Sequence, residues 1–193
     1  MPTYAPGQTR KRNVNDVLEF LGKDGDAKNI LVRVDFNVPM DGDGKITDNS
    51  RIRGAIPTIK IILDSGNNAI LMSHMGRPKK VQKGEDDGTQ RAALSLKHVI
   101  STLKDLSGAD VGFVDDCIGD KVKEAVAGLP KTGGSILVLE NLRFRKVRSA
   151  RYQTYLILFC SFFVSKSQFA IPAVSLGRRD KRGILCPRSR IDC

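Results

Sequence analysis

Three short apolar runs, each leading straight into a cluster of polar residues, constrain this chain more than any other feature. The first is Asn29 to Pro39 (N-I-L-V-R-V-D-F-N-V-P), in which Ile30, Leu31, Val32 and Val34 precede Asp35 and Asn37. β-Branched and leucyl residues favour a strand, and Pro39, lacking an N–H, ends the pairing. The design recurs at Asn68 to Met72 (N-A-I-L-M), followed by Ser73-His74-Met75-Gly76-Arg77-Pro78, and at Ile136 to Leu139 (I-L-V-L), followed by Glu140-Asn141-Leu142-Arg143. Near-continuous apolar runs suit strands covered on both faces, as in the parallel sheets of α/β domains. In open α/β sheets ligands bind beyond the carboxyl ends of the strands, so three polar exits are expected to converge on one site.

The intervening text supplies helices. Val14, Val17, Leu18 and Leu21 form one apolar face, with Asn13 or Asn15 as the cap and Gly22 and Gly25 as the stop. Met40-Asp41-Gly42-Asp43-Gly44-Lys45 is turn chemistry, a small hairpin returning at Lys45 to Thr47. An EF-hand is excluded there, because Lys45 stands where an oxygen ligand belongs and Ile46 where glycine does. Asp48 or Ser50 then caps a helix carrying Ile52, Ile56, Ile59, Ile62 and Leu63 on one face, closed by Ser65-Gly66. Residues 81 to 90 read as a polar loop. A helix is expected near Ala92 to Leu106 with Leu94, Val99, Leu103 and Leu106 buried, a strand at Asp110 to Val114, and a helix from Gly119 to Ala127 resting on Val122, Val126 and Leu129. Strands alternating with helices and lacking any internal repeat predict an α/β fold with a doubly wound parallel sheet.

A formal charge of +11 suggests a nucleic-acid or membrane partner until its distribution is examined. Residues 1 to 146 hold 23 Lys and Arg against 19 Asp and Glu, whereas residues 147 to 193 hold 9 against 2. The excess belongs to the C-terminal stretch, where basic residues neither alternate with aromatics nor form a periodic face, so neither partner is expected. Cys117, Cys160, Cys186 and Cys193 form no C-x-x-C pair, which indicates neither a zinc nor a redox motif and suits a reducing compartment. No run approaches the roughly 20 apolar residues of a membrane span.

The strand exits offer Arg77, Arg143, His74, Asp35 and Asn37, and Arg51 opens the helix after the hairpin. Arginine presents always-charged, bidentate donors matched to carboxylate and phosphate, so several in one crevice imply a small polyanion. Asp35 and Asn37 can exchange hydrogen bonds with a ligand hydroxyl, and His74 adds either a charge or a neutral donor. Any one of these arginines taken alone would be a surface ion pair worth about 0–1 kcal/mol. Neither G-x-G-x-x-G after a strand nor G-x-x-x-x-G-K-[ST] occurs, and Pro130-Lys131-Thr132-Gly133-Gly134 places its glycines on the wrong side of the lysine.

At these same residues the sequence resembles phosphoglycerate kinase. The strings R-V-D-F-N-V-P (33–39), I-T-D-N-S-R-I-R-G-A-I-P-T-I-K (46–60), S-H-M-G-R-P (73–78), D-D-C-I-G (115–119) and L-E-N-L-R-F (139–144) match that family's N-terminal domain in order and spacing. The resemblance implies a bilobed, cytoplasmic, monomeric glycolytic enzyme that moves a phosphoryl group between 1,3-bisphosphoglycerate and ADP, with Mg-ATP or Mg-ADP held by a C-terminal lobe and 3-phosphoglycerate by the N-terminal one. Carried over by position, Asp35, Phe36 and Asn37 match the hydroxyl and backbone contact to the acid, and His74, Met75, Gly76 and Arg77 match the H-x-x-R element. Arg51 and Arg143 match two arginines of the basic phosphate patch, and Arg51 is the one expected beside the transferring phosphoryl, the catalytic role. No metal ligand is carried over.

The matching text stops at about residue 146. The expected organisation is a flexible lead-in at 1–13, a partial substrate-binding α/β domain at 14–146, and an irregular, disordered tail at 147–193. With two β-α units and the nucleotide lobe unrepresented, the resemblance implies an incomplete sheet with an unpaired edge and an uncovered apolar face. Tyr155 to Val164 (Y-L-I-L-F-C-S-F-F-V) is uncharged and β-prone, the composition of an aggregation-prone segment. Val147-Arg148 can be encoded by a splice-donor sequence, so residues 147–193 are read as translated non-coding sequence, a hypothesis that an uninterrupted coding exon in mature message would contradict.

Overall fold

The computed structural model describes residues 13–22 and 25–145. The expected tail with its Tyr155 to Val164 segment and Cys160, Cys186 and Cys193, and the lead-in before Asn13, lie outside the described residues. Four strands, β1 (Asn29–Arg33), β2 (Asn68–Met72), β3 (Asp110–Val114) and β4 (Ser135–Leu139), form one wholly parallel sheet in the order β1-β2-β4-β3. The chain steps from β1 through β2 to β3 with α2 (Ser50–Asp64) and α5 (Ile100–Ser107) on one face, and returns from β3 to β4 with α6 (Asp120–Ala127) on the other. A reversal of direction with a change of face is the doubly wound arrangement expected when all crossovers share one hand.

Alternation along each strand divides the core. Ile30, Ala69, Leu71, Ile136 and Val138 meet Ile52, Ile59 and Ile62 of α2 and Leu103 of α5. Ile70, Met72, Leu137 and Leu139 point the other way and pack with Val114, Cys117 and Val122. The side chains of β2 are buried throughout, whereas β1, at the sheet edge, buries only Ile30. The expectation that the first apolar run is covered on both faces therefore belongs to β2 and β4 instead, because an edge strand has a neighbour on one side only.

Local chemistry explains most of the elements. Asn13 caps α1 (Val14–Leu21) in a reciprocal box, its side chain accepting from Asp16 N at 3.1 Å while its own N–H donates to Asp16 at 2.7 Å. The hairpin is present as a single antiparallel bridge between Met40 and Ile46. Asp48 accepts from both the backbone N–H and the hydroxyl of Ser50, at 2.8 and 3.0 Å, at the start of α2. Pro57 lies inside α2, which continues through it at the cost of one intrahelical bond. At the N-terminal edge of the sheet, Asn68 donates to Asn29 Oδ1 and Pro130 O, both at 2.9 Å, and accepts from Ser135 N at 3.2 Å. Gly133 comes so close there that a Cβ would stand 2.1 Å from Gly66 O, so glycine is required.

Two expectations are corrected. The presumed polar loop at 81–90 holds most of α3 (Lys79–Lys83) and the start of α4 (Thr89–Ala93). Side chains reaching across the loop build them: Gln90 Oε1 accepts from Lys80 N at 2.8 Å, and Asp86 accepts from Gln90 N and Arg91 N at 2.9 and 3.1 Å. The helix expected from Ala92 to Leu106 is broken into α4, a 3-10 turn (Leu96–Val99) and α5. The break falls where the buried Glu140 carboxylate takes the Ser95 hydroxyl at 2.8 Å and Leu96 N at 2.9 Å, and Leu94 and Leu106 are half-buried rather than buried.

Candidate anion-binding site

The exits of β1, β2 and β4 lie side by side in the sheet, so the residues following them share one edge. After β1 the chain remains tied to its neighbour: Val34 N donates to Met72 O at 3.1 Å, and Ser73 Oγ accepts from Phe36 N and donates to Val34 O, each at 2.9 Å. Phe36 is fully buried and anchors this turn, leaving Asp35 exposed on one side and Asn37 half-buried on the other. Asp35 accepts from Asn37 N at 3.2 Å and from Arg51 Nη1 at 2.6 Å.

Arg51 sits in the first turn of α2, where the positive end of the helix disfavours a cation. The Asp35 carboxylate offsets that cost in the free protein, and both side chains are about half exposed, at 49 and 57%. Such a pair contributes little stability and leaves the guanidinium open to exchange Asp35 for a ligand anion.

The β2 exit turns sharply at Gly76, whose φ is +56° and whose added Cβ would stand 2.7 Å from Leu94 Cδ2. Both of its backbone groups are held: its N–H donates to Asn37 Oδ1 at 2.8 Å, and its carbonyl accepts from Arg143 Nη1. Asn37 thus spends its oxygen on the protein and keeps its amide N–H groups for solvent or ligand. Met75 is buried and serves as an anchor.

His74 is half-buried, and burial lowers its pKa from the usual value. Arg143 lowers it further, Asp35 opposes, and Arg33 and Arg51 add to the lowering. Burial and the neighbouring guanidinium charges thus favour the neutral form of the imidazole. The charges of Asp35, Arg33, Arg51 and Arg143 all act on this one side chain. Arg77 is exposed in the turn before α3, with no hydrogen bond or ion pair from its guanidinium among the described residues.

The family model for phosphoglycerate kinase matches residues 22–168, about three-quarters of the chain, and runs past Lys146 into residues outside those described. The chain belongs to the phosphoglycerate kinase family. It is 48% identical over 120 residues to the phosphoglycerate kinase of Desulforapulum autotrophicum, covering 62% of this chain and 28% of that protein. Against the enzyme of Chloroherpeton thalassium the identity is 45% over 141 residues, covering 73% and 31%. The crystal structure of phosphoglycerate kinase from Pyrococcus horikoshii superposes with a TM-score of 0.51 at 30% identity, covering 63% of this chain and 26% of that one. The chain thus spans under a third of the length of these phosphoglycerate kinases.

Sequence reasoning singled out the charged residues and missed those that hold them. The charge of Arg33 acts on His74, although Arg33 reads in sequence as one more strand residue. Glu140 and Asn141 are both buried, at 6% and 0% exposure, directly after β4. An acid and an amide closing an apolar run were the available signal, since buried polar groups imply partners. Among the described residues no group of three or more His, Cys, Asp or Glu side chains is arranged to hold a metal ion. No helix among them is long and apolar enough to cross a membrane.

Proposed function

We propose that the exits of β1, β2 and β4 bind 3-phosphoglycerate, as the acid-binding half of a phosphoglycerate kinase site. The observation that carries this reading is that hydrogen bonds tie the exits of three neighbouring parallel strands together, Asn37 to the Gly76 N–H and Arg143 to the Gly76 carbonyl, with Arg51 paired to Asp35, so that two guanidinium groups stand on one edge of the sheet beside the His74 turn. A phosphorylated three-carbon acid offers a phosphate, a carboxylate and one hydroxyl. Arg143 and the unpaired Arg77 serve the phosphate, Asp35 and the free Asn37 amide serve the hydroxyl, and His74 donates one further hydrogen bond. Arg51 takes the catalytic position beside the carboxylate, where phosphoryl is gained or lost.

That transfer forms and breaks phosphorus–oxygen bonds without a covalent group on the protein, so the protein's contribution is positioning and charge neutralisation. Exchanging Asp35 for the ligand would deliver the Arg51 charge to the developing acyl phosphate. The magnesium nucleotide would come from a lobe these described residues do not supply, and the chain on its own is expected to show no ATP-dependent phosphorylation of 3-phosphoglycerate.

Isothermal titration of the 193-residue chain with 3-phosphoglycerate tests the proposal. One saturable site weakened by salt is expected, and Arg143→Ala is expected to lower affinity about 10- to 100-fold, the worth of a charge-assisted hydrogen bond. Absence of saturable heat, or an unchanged affinity in Arg143→Ala, contradicts it.

A further inference from the structure

Neither charge nor chemistry at the ligand explains why Asn141 is completely buried at the exit of β4. Both hydrogens of its amide and its carbonyl oxygen are engaged. Nδ2 donates to Met75 O at 2.8 Å and to Leu94 O at 2.9 Å, and Oδ1 accepts from Arg143 N at 3.0 Å. Each partner belongs to a different segment: the turn after β2, the end of α4, and the 3-10 turn (Leu142–Phe144) that carries Arg143.

Its main chain is held by Glu140. Oε1 of that buried carboxylate accepts from Asn141 N at 2.7 Å and Leu96 N at 2.9 Å, and Oε2 accepts from the Ser95 hydroxyl at 2.8 Å. A buried acid accepting three donors fixes whatever they belong to, because breaking any one leaves a polar group unsatisfied in the core. Arg143 then closes the circuit onto Gly76 O, one residue beyond the Met75 carbonyl that Asn141 holds.

We propose that Asn141, oriented by Glu140, is the positioning residue of the anion site: it sets the separation between the Gly76 turn and the Arg143 guanidinium, and so the spacing of the donors offered to the ligand's phosphate. The role acts through Arg143 and rests on the 3-phosphoglycerate reading. It does not require Asn141 to touch the ligand.

The deciding experiment is a double-mutant cycle on the full chain, titrating Asn141→Ala, Arg143→Ala and the double variant with 3-phosphoglycerate, alongside hydrogen exchange of the free proteins. Asn141→Ala is expected to lower affinity at least tenfold in the wild-type background and less than twofold in the Arg143→Ala background. Without ligand, the Arg143 amide should lose protection while the β4 amides keep theirs. An equal loss of affinity in both backgrounds, or unchanged affinity, overturns the positioning role.

Should Asn141→Ala fail to fold, Asn141→Asp carries the same test, since it keeps the acceptor for Arg143 N–H and removes both donors. Glu140→Gln is expected to keep near-wild-type binding, because its Oε1 can still accept from Asn141 N and Leu96 N and Ser95 Oγ can accept from the new amide. If the wild-type chain binds no 3-phosphoglycerate, the functional reading fails, and the exchange measurement still decides the local one: retained protection at Arg143 overturns it.

Discussion

Half-burial and the charges of Arg143, Arg33 and Arg51 favour the neutral form of the His74 imidazole in the free protein, against the opposing charge of Asp35. Burial and Arg143 lower the His74 pKa below its usual value of about 6.5. The unfolded chain therefore binds a proton more readily than the folded one in the window just below that value. Stability at this residue is complete above pH 6.5 and falls as pH drops through the window, and His74→Gln should flatten that part of a urea-midpoint profile recorded from pH 8 to 5. A bound anion reverses the local field and favours the imidazolium. At pH 6.5, titration with 3-phosphoglycerate in buffers of differing ionisation heat should show more proton uptake for the wild type than for His74→Gln. Equal uptake would remove His74 from the site. The sequence made the arginines and His74 legible because charged residues after an apolar run stand out. It left Glu140 and Asn141 without a role, because the partners that tie them to other segments lie 44 to 66 positions away.

Among the elements, legibility followed the source of the stabilisation. β2, β4 and α2 are formed by local apolar pattern and end where their polar or glycine signals fall. The helices α3 and α4 are held by Gln90, Asp86 and Asp87 side chains reaching over a loop, and no hydrophobic period announces them. The apolar run of β1 looked buried on both faces, yet only its place in the sheet decides that. Leu71, fully buried in the central β2, should cost about 2–5 kcal/mol when truncated to Ala, and half-buried Leu31 on the edge distinctly less, both measured by denaturant unfolding. Equal costs would mean the strand order is wrong. Gly76→Ala should destabilise by about 1–3 kcal/mol, since its positive φ and the 2.7 Å approach of Leu94 both resist a side chain. An unchanged urea midpoint would show that the turn can open, and with it the link from Asn37 to Arg143.

At the scale of the molecule, the strand order does the organising. Placing β4 next to β2 sets Arg143 beside the Gly76 turn although 67 residues separate them in sequence, and β1 completes the row with Asp35 and Asn37. Composition concealed this. The net charge of +11 pointed to a polyelectrolyte partner, while the residues forming the sheet and its exits lie in a stretch that is only modestly basic. The most direct test is a site-resolved one: amide chemical-shift perturbation of the full chain titrated with 3-phosphoglycerate. Saturable shifts concentrated at Asp35–Asn37, His74–Arg77 and Arg143, with α1 and the N-terminal edge around Asn67 and Gly133 undisturbed, are predicted. Shifts confined to other surfaces, or none at saturating ligand, would contradict an anion site at the strand exits.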